Sequence, residues 1–208
     1  MIKRSSFYVD GFNLYHAIDG LGRSHLKWLS LWDLGSLLIP RKSEVLSQVV
    51  YFSAFATHRP DSMLRHRAYV EALQTTGVEC IMGRFKHRNV HCHACGNRWK
   101  HPEEKETDVH IAVRIVDDAY QDSFDVCYLI SGDTDLVPAI KILRKQFPTK
   151  EFVTLSTPGR PHSAEILRHA SRKQKIKPTH IERSLFPETI IDPNGKQITR
   201  PKEYTPPV

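Results

Sequence analysis

From Ser6 to Val9 the chain is mostly apolar, and the run stops at Asp10-Gly11. Apolar residues then recur at helical spacing from Phe12 to Ile18, so the pattern predicts strand, turn and helix. Val45 to Phe55 is rich in β-forming residues. Pro60-Asp61 opens a helical pattern that lasts to about Gln74, and after Gly77 the segment Val78 to Met82 returns to strand. A helix is predicted from Thr107 to about Tyr120, with Val109, Ala112, Val113, Val116 and Tyr120 as its apolar face. Val126 to Ile130 reads as a buried strand. Ser131 to Asp135 turns into a helix with Leu136, Ile140, Leu143 and Phe147 in register, and Pro138 falls in its first turn, where an amide has no intrahelical partner. Phe152 to Leu155 is a further strand, Ser163 to Ala170 a helix, and Gln174 to Lys177 a last short strand. This alternation predicts an α/β fold, a mostly parallel sheet with helices on both faces, whose ligands collect beyond the carboxyl ends of the strands.

Length and composition narrow the picture. The 208 residues fit one domain over 1–186, with an insert over 84–105 and a tail over 187–208 whose five prolines predict an extended or disordered segment. The 40% hydrophobic content supplies a core, while the longest apolar runs fall far short of the roughly 20 residues that span a bilayer, so no membrane role is expected. The basic start is not followed by an apolar region of secretory length, and two of the four cysteines form a CxxC. Both features suit a reducing, cytoplasmic setting. The formal charge is +7, and between Arg160 and Val208 ten Lys/Arg stand against five Asp/Glu. Such an excess suits a polyanion, although a solvated basic face would read the same way.

Candidate chemistry lies in the carboxylates. Asp10 ends the first strand, Asp133 and Asp135 follow Val126–Ile130, and Asp108 opens a helix, so all four fall on one rim of the predicted sheet, with Asn13, Ser131 and Thr134 as polar neighbours. Singly, each Asp could be a turn or capping residue. Jointly, like charges raise one another's pKa, so such a group ordinarily exists to hold a hard cation, Mg²⁺ or Mn²⁺, which binds a phosphate oxygen and acidifies a water for in-line attack. No Walker loop and no GxGxxG offers an alternative phosphate cradle.

The motifs DGFN at 10–13, EEKETD at 103–108 and LISGDTDLVPAI at 129–140 resemble the NYN domain family, a branch of the PIN-like nucleases that includes LabA-like proteins. The resemblance covers about residues 5–180. It implies a PIN-like, Rossmann-like fold and a metal-dependent endoribonuclease acting on RNA. It carries Asp10, Asp108, Asp133 and Asp135 over as metal ligands, Asn13 and Ser131 as polar residues of the same catalytic site, and Glu106 as an acidic neighbour. Some relatives act in regulation, so a non-catalytic RNA-binding module, a homodimer and a regulatory protein partner all stay open. Haloacid dehalogenase-type phosphatases share a late GD motif, but they need a second Asp two residues after the first, where this chain has Phe12, and an acidic residue where it has Val137.

The insert RFKHRNVHCHACGNRWKHPEEK carries the remaining signal. Cys92 and Cys95 with Gly96 read as a zinc-knuckle turn, for which His101 and then His87 or His91 are the expected remaining ligands of a structural Zn²⁺; a metal-free thiol pair or a redox pair is the alternative. Arg84, Lys86, Arg98, Trp99 and Lys100 around it, with Arg168, Arg172, Lys173 and Lys175 from the C-terminal third, form the expected grip on single-stranded RNA, by phosphate contacts and stacking.

Overall fold

The computed structural model describes residues 2–207; Met1 and Val208, the outer limits of the expected domain and tail, lie outside the described residues. The chain runs β1 (Lys3–Asp10), α1 (Gly11–Asp19), α2 (Leu31–Leu38), β2 (Glu44–Ala54), α3 (Pro60–Thr75), β3 (Glu79–His91), β4 (Arg98–Lys105), α4 (Thr107–Tyr120), β5 (Val126–Ile130), α5 (Val137–Gln146), β6 (Glu151–Ser156), α6 (Ala164–Leu167), β7 (Arg172–Lys175), α7 (Pro178–Glu182), β8 (Thr189–Ile191) and β9 (Gln197–Thr199).

Seven strands form one sheet in the order β4-β3-β2-β1-β5-β6-β7, parallel throughout except for the antiparallel β3–β4 pair. The apolar strands are buried on both faces, as crossover connections require. On one face Phe7, Val9, Val49, Tyr51, Tyr128 and Ile130 meet α1, α2 and α3. On the other Tyr8, Val50, Phe52, Cys127, Leu129 and Phe152 meet α4, α5 and Ile166 of α6. The period of two along each strand thus separates two cores, and the sheet lies between them. No helix among the described residues is long and apolar enough to cross a membrane.

Four features differ from the sequence reading. The helix α2, capped by Ser30, buries Leu31, Leu34 and Leu38 in a stretch where the sequence pattern predicts no element. Helix α4 has the predicted span but a different face: Ile111, Ile115, Asp118 and Ala119 are buried, while Val109, Val113 and Tyr120 are exposed. Arg114 and Asp118 explain the displacement, because Asp118 is buried against the sheet, accepting from Tyr8 Oη at 2.7 Å and from Arg114. The tail is folded rather than extended or disordered. β8 and β9 form a hairpin, Ile198 and Tyr204 are buried, and Trp28 Nε1 donates to Pro187 O at 2.8 Å. Finally, the insert is a two-stranded ribbon, in which β3 continues past its parallel pairing with β2 to pair with β4 and turns over at Cys92–Asn97.

Candidate active site

Strand order reverses between β1 and β5, and the turns that leave the carboxyl ends of these two strands meet there. Asp10 closes β1 and caps α1. Its carboxylate accepts from the Asn13 amide and from Asn13 Nδ2, both at 2.9 Å, and from Ser131 Oγ at 2.8 Å. Asn13 Oδ1 accepts in turn from the Gly132 amide at 3.3 Å, so one side chain ties the two turns together. Asp10 is 3% exposed, and burial pushes its carboxyl up against the opposing pull of those three bonds, with the Asp133 charge pushing the same way as burial. After β5, Ser131 Oγ accepts from the Asp133 amide at 3.0 Å and Asp133 Oδ1 from the Asp135 amide at 2.9 Å. Asp10 and Asp133 are therefore capping residues and members of an acidic group at once.

Asp108 reaches the same place from the first turn of α4. Its carboxyl is pushed up to about 6, by burial first and then by the charges of Asp133, Asp10, Glu104 and Asp135. Asp108 therefore lies within electrostatic reach of the carboxylates that follow β1 and β5. Glu104, which the sequence reading did not assign to the site, stands here because it caps α4, accepting from the Thr107 amide at 3.1 Å and from the Thr107 hydroxyl. The signal was in the sequence: Glu104-x-x-Thr107 at the edge of the apolar helical pattern. Glu106 turns away instead, in the left-handed region at φ 83°, and pairs with Arg84 at 2.5 Å.

No group of three or more His, Cys, Asp or Glu side chains among the described residues is arranged as a ready metal-binding set. Mg²⁺ keeps several waters and binds through one or two carboxylates, so an all-oxygen group with a carboxyl raised toward neutrality fits that ion without a closed cage. The expected zinc set is not brought together. His101 pairs with Arg88 and His87 with Pro102 in the ribbon, so the two histidines, on neighbouring pairs, project from opposite faces. Cys92 lies four residues beyond Arg88, roughly 13 Å at the rise of a strand, whereas ligands of one zinc sit about 2 Å from it. The amides of Cys95 and Ala94 turn toward the Cys92 sulfur and lower its pKa, so the ribbon ends in a turn that carries two thiols and no further ligand set among the described residues.

The expected RNA contacts divide by position. Arg84 stands at the base of the ribbon, where it pairs with Lys105 in the ladder, and Lys86 lies opposite Glu103. Arg98, the half-exposed Trp99 and Lys100 lie at the far end of the ribbon. Arg168 is exposed beyond α6, and Lys173 and Lys175 flank His162. Arg172 is elsewhere: it pairs with buried Glu44 at 2.6 Å and with Glu151 at 2.9 Å, at the opposite, amino-terminal edge of the sheet, and holds strand ends together. Beside the acidic group, past the ends of β5 and β6, opens a crevice whose lining includes Arg160 and His162, neither of them singled out from the sequence.

A three-layer α/β fold with its acidic residues gathered where the strand order reverses defines a Rossmann-like protein of the PIN-like type. The chain belongs to the NYN domain family, whose model matches residues 4–176; NYN domains form a branch of the PIN-like nuclease superfamily. The chain is 22% identical over 240 aligned residues to 6-hydroxy-3-succinoylpyridine 3-monooxygenase HspA of Pseudomonas putida, an alignment that covers 97% of this chain and 75% of that protein. A Vibrio parahaemolyticus protein of unknown function shares the fold, with a TM-score of 0.56 and 18% identity over 84% of this chain and 93% of its own.

Proposed function

We propose that the protein is a metal-dependent ribonuclease that hydrolyses phosphodiester bonds of single-stranded RNA at the Asp10–Asp108–Asp133 rim. The observation that carries this reading is the network at the strand-order reversal, where Asp10 accepts from Ser131 Oγ and Asn13 ties the turns after β1 and β5 together, with the Asp108 carboxyl held up first by burial and then by neighbouring carboxylates. A hard divalent cation held by Asp10, Asp108 and Asp133 would neutralise phosphate charge and acidify a water. The chain's own residues do the rest. Ser131 and Asn13 fix the Asp10 carboxylate by hydrogen bonds, and burial excludes bulk water from it. Asp135, exposed at the next turn, is left free to take a proton or orient a water. The basic residues Lys173 and Lys175 of β7 offset the negative centre, as a polyanion requires.

Cleavage of labelled single-stranded RNA with Mn²⁺, Mg²⁺ or EDTA, beside an Asp133→Asn variant, tests this. Metal-dependent cutting by the wild type, lowered at least a hundredfold in the variant, is expected. Equal cutting by both overturns it, and RNA binding without cutting transfers the reading to a non-catalytic RNA-binding module.

One observation favours a second reading. On the far side of α1 a cavity of about 100 Å³ is walled by Tyr15, Tyr51, Tyr69, Tyr204 and His66. Tyr51 Oη and His66 Nε2 lie 3.1 Å apart, and burial lowers His66 to about 4, so its ring stays neutral. Such walls suit a small aromatic ring like the pyridine in the name of the Pseudomonas relative. A rise in Tm with a hydroxypyridine, abolished by Tyr51→Ala, would support a small-molecule site there; no shift with either protein removes it.

A further inference from the structure

The crevice beyond β5 and β6 measures about 510 Å³ and is lined by Ser131 and Asp133 on one wall and by Ser156, Thr157, Arg160 and His162 on the other. Its first wall is the acidic group itself, since Ser131 Oγ bonds both Asp10 and the Asp133 amide. Its second wall is polar and unsatisfied. Ser156 is 5% exposed, yet its hydroxyl has no hydrogen-bond partner among the described residues, and neither has the buried Nδ1 of His162. Buried hydroxyls and ring nitrogens are ordinarily paired, and an orphaned one marks a place where something else supplies the partner.

The charge on that wall is unspent as well. Arg4, Arg114 and Arg172 each pair with two acidic side chains, whereas the Arg160 guanidinium makes no ion pair or hydrogen bond among the described residues. It is carried on a turn after β6 in which the Arg160 amide donates to Thr157 O at 3.2 Å, which sets it at the rim of the crevice. Lys173 and Lys175 face His162 from β7. A guanidinium fork, two hydroxyls and an imidazole on one wall match a group with several acceptor oxygens and a negative charge, and phosphate is that group in the substrate class proposed above.

We propose that the Arg160 wall is a phosphate subsite that holds the phosphate next to the scissile one along a single strand, with Arg160 as its cation and Ser156, Thr157 and His162 as hydrogen-bonding partners. It rests on the nuclease reading for its choice of ligand, and on the unpaired groups of the crevice for its place. Asp133 belongs both to the acidic group and to the lining of the crevice, so a strand seated there runs past the acidic rim, and its register relative to the carboxylates is set by Arg160.

The test is binding of a fluorescein-labelled ten-nucleotide single-stranded RNA in EDTA over a salt series, for wild type, Arg160→Gln, Arg160→Lys and the control Arg41→Gln, an exposed arginine at the opposite edge of the sheet. Each protein is first shown to melt like the wild type. Arg160→Gln is expected to bind about tenfold more weakly, and the slope of log K against log[salt] to lose about 0.7, the contribution of one phosphate contact on a single strand. Arg160→Lys keeps the slope and loses part of the affinity, while Arg41→Gln changes neither. A wild type that binds no RNA, or an Arg160→Gln protein with unaltered slope, overturns the subsite. Cleavage is read separately. Metal-dependent cutting with an unaltered slope leaves the nuclease and removes the subsite, whereas an Arg160-dependent slope without cutting leaves the subsite and removes the nuclease.

Discussion

At the scale of the residue, the acidic rim is a place where the fold works against itself. Asp108 has an ordinary value of 3.8 and in the folded chain is pushed up to about 6. Folding therefore favours its protonated form, so its contribution to stability is full below about pH 4 and is lost as pH rises through about 6. Asp108→Asn removes the charge and should raise the Tm of the metal-free protein at pH 8 by about 2–4 °C, which corresponds to roughly 1 kcal/mol once the partial exposure of the group is discounted. Near pH 4 the two proteins should melt together. Scanning calorimetry in EDTA at both pH values checks this, and a difference of equal size at both would assign the effect to packing instead of charge. The individual carboxylates were legible in the sequence because a strand end and a helix start each have a local signature. Arg160 and His162 were not. Their importance comes from what stands opposite them in space, and no spacing along the chain records that.

At the scale of the element, the parallel core was legible where periodicity and burial agree, as in β5 and in the span of α4. It failed where polar residues serve the interior. Asp118 and Arg114 occupy the sheet-facing side of α4, so Val109, Val113 and Tyr120 of the predicted apolar stripe point to solvent. The ribbon misled for the opposite reason. Its side chains are polar on both faces, which reads as a loop needing a metal, yet its strands are held by backbone pairing from Arg84–Lys105 out to His91–Arg98. This ribbon leads directly into Asp108, and Gly83 is its root. A Cβ at Gly83 would lie 2.7 Å from Lys105 O and 3.0 Å from Thr107 Oγ1, and a backbone carbonyl has little room to give. Gly83→Ala should therefore destabilise the protein by about 1–3 kcal/mol and shift the start of α4. Urea unfolding measures the first effect; cleavage falling by more than RNA affinity falls would report the second.

At the scale of the whole molecule, the residues after Phe186 complete the core that α1, α2 and α3 begin. Ile198 and Tyr204 are buried, Trp28 is bonded to Pro187, and Arg65 and Glu71 of α3 pair with Glu203 and Lys196. Each fully buried apolar side chain contributes about 1.5–3 kcal/mol. A chain ended at Phe186 should thus melt at least about 5 °C below the full chain, whereas a tail that merely trailed into solvent would leave Tm unchanged. Prolines concealed this from the sequence, because they forbid helix and central strand but not a short hairpin laid on a helix. The reversal of strand order has a consequence in time. Asp10 and Ser131 meet across 121 residues of chain, and synthesis from the amino terminus takes on the order of 10 s to reach that point. A nascent chain therefore carries Asp10 for that interval before Ser131 and Asp133 exist, and the rim cannot form until both have been made.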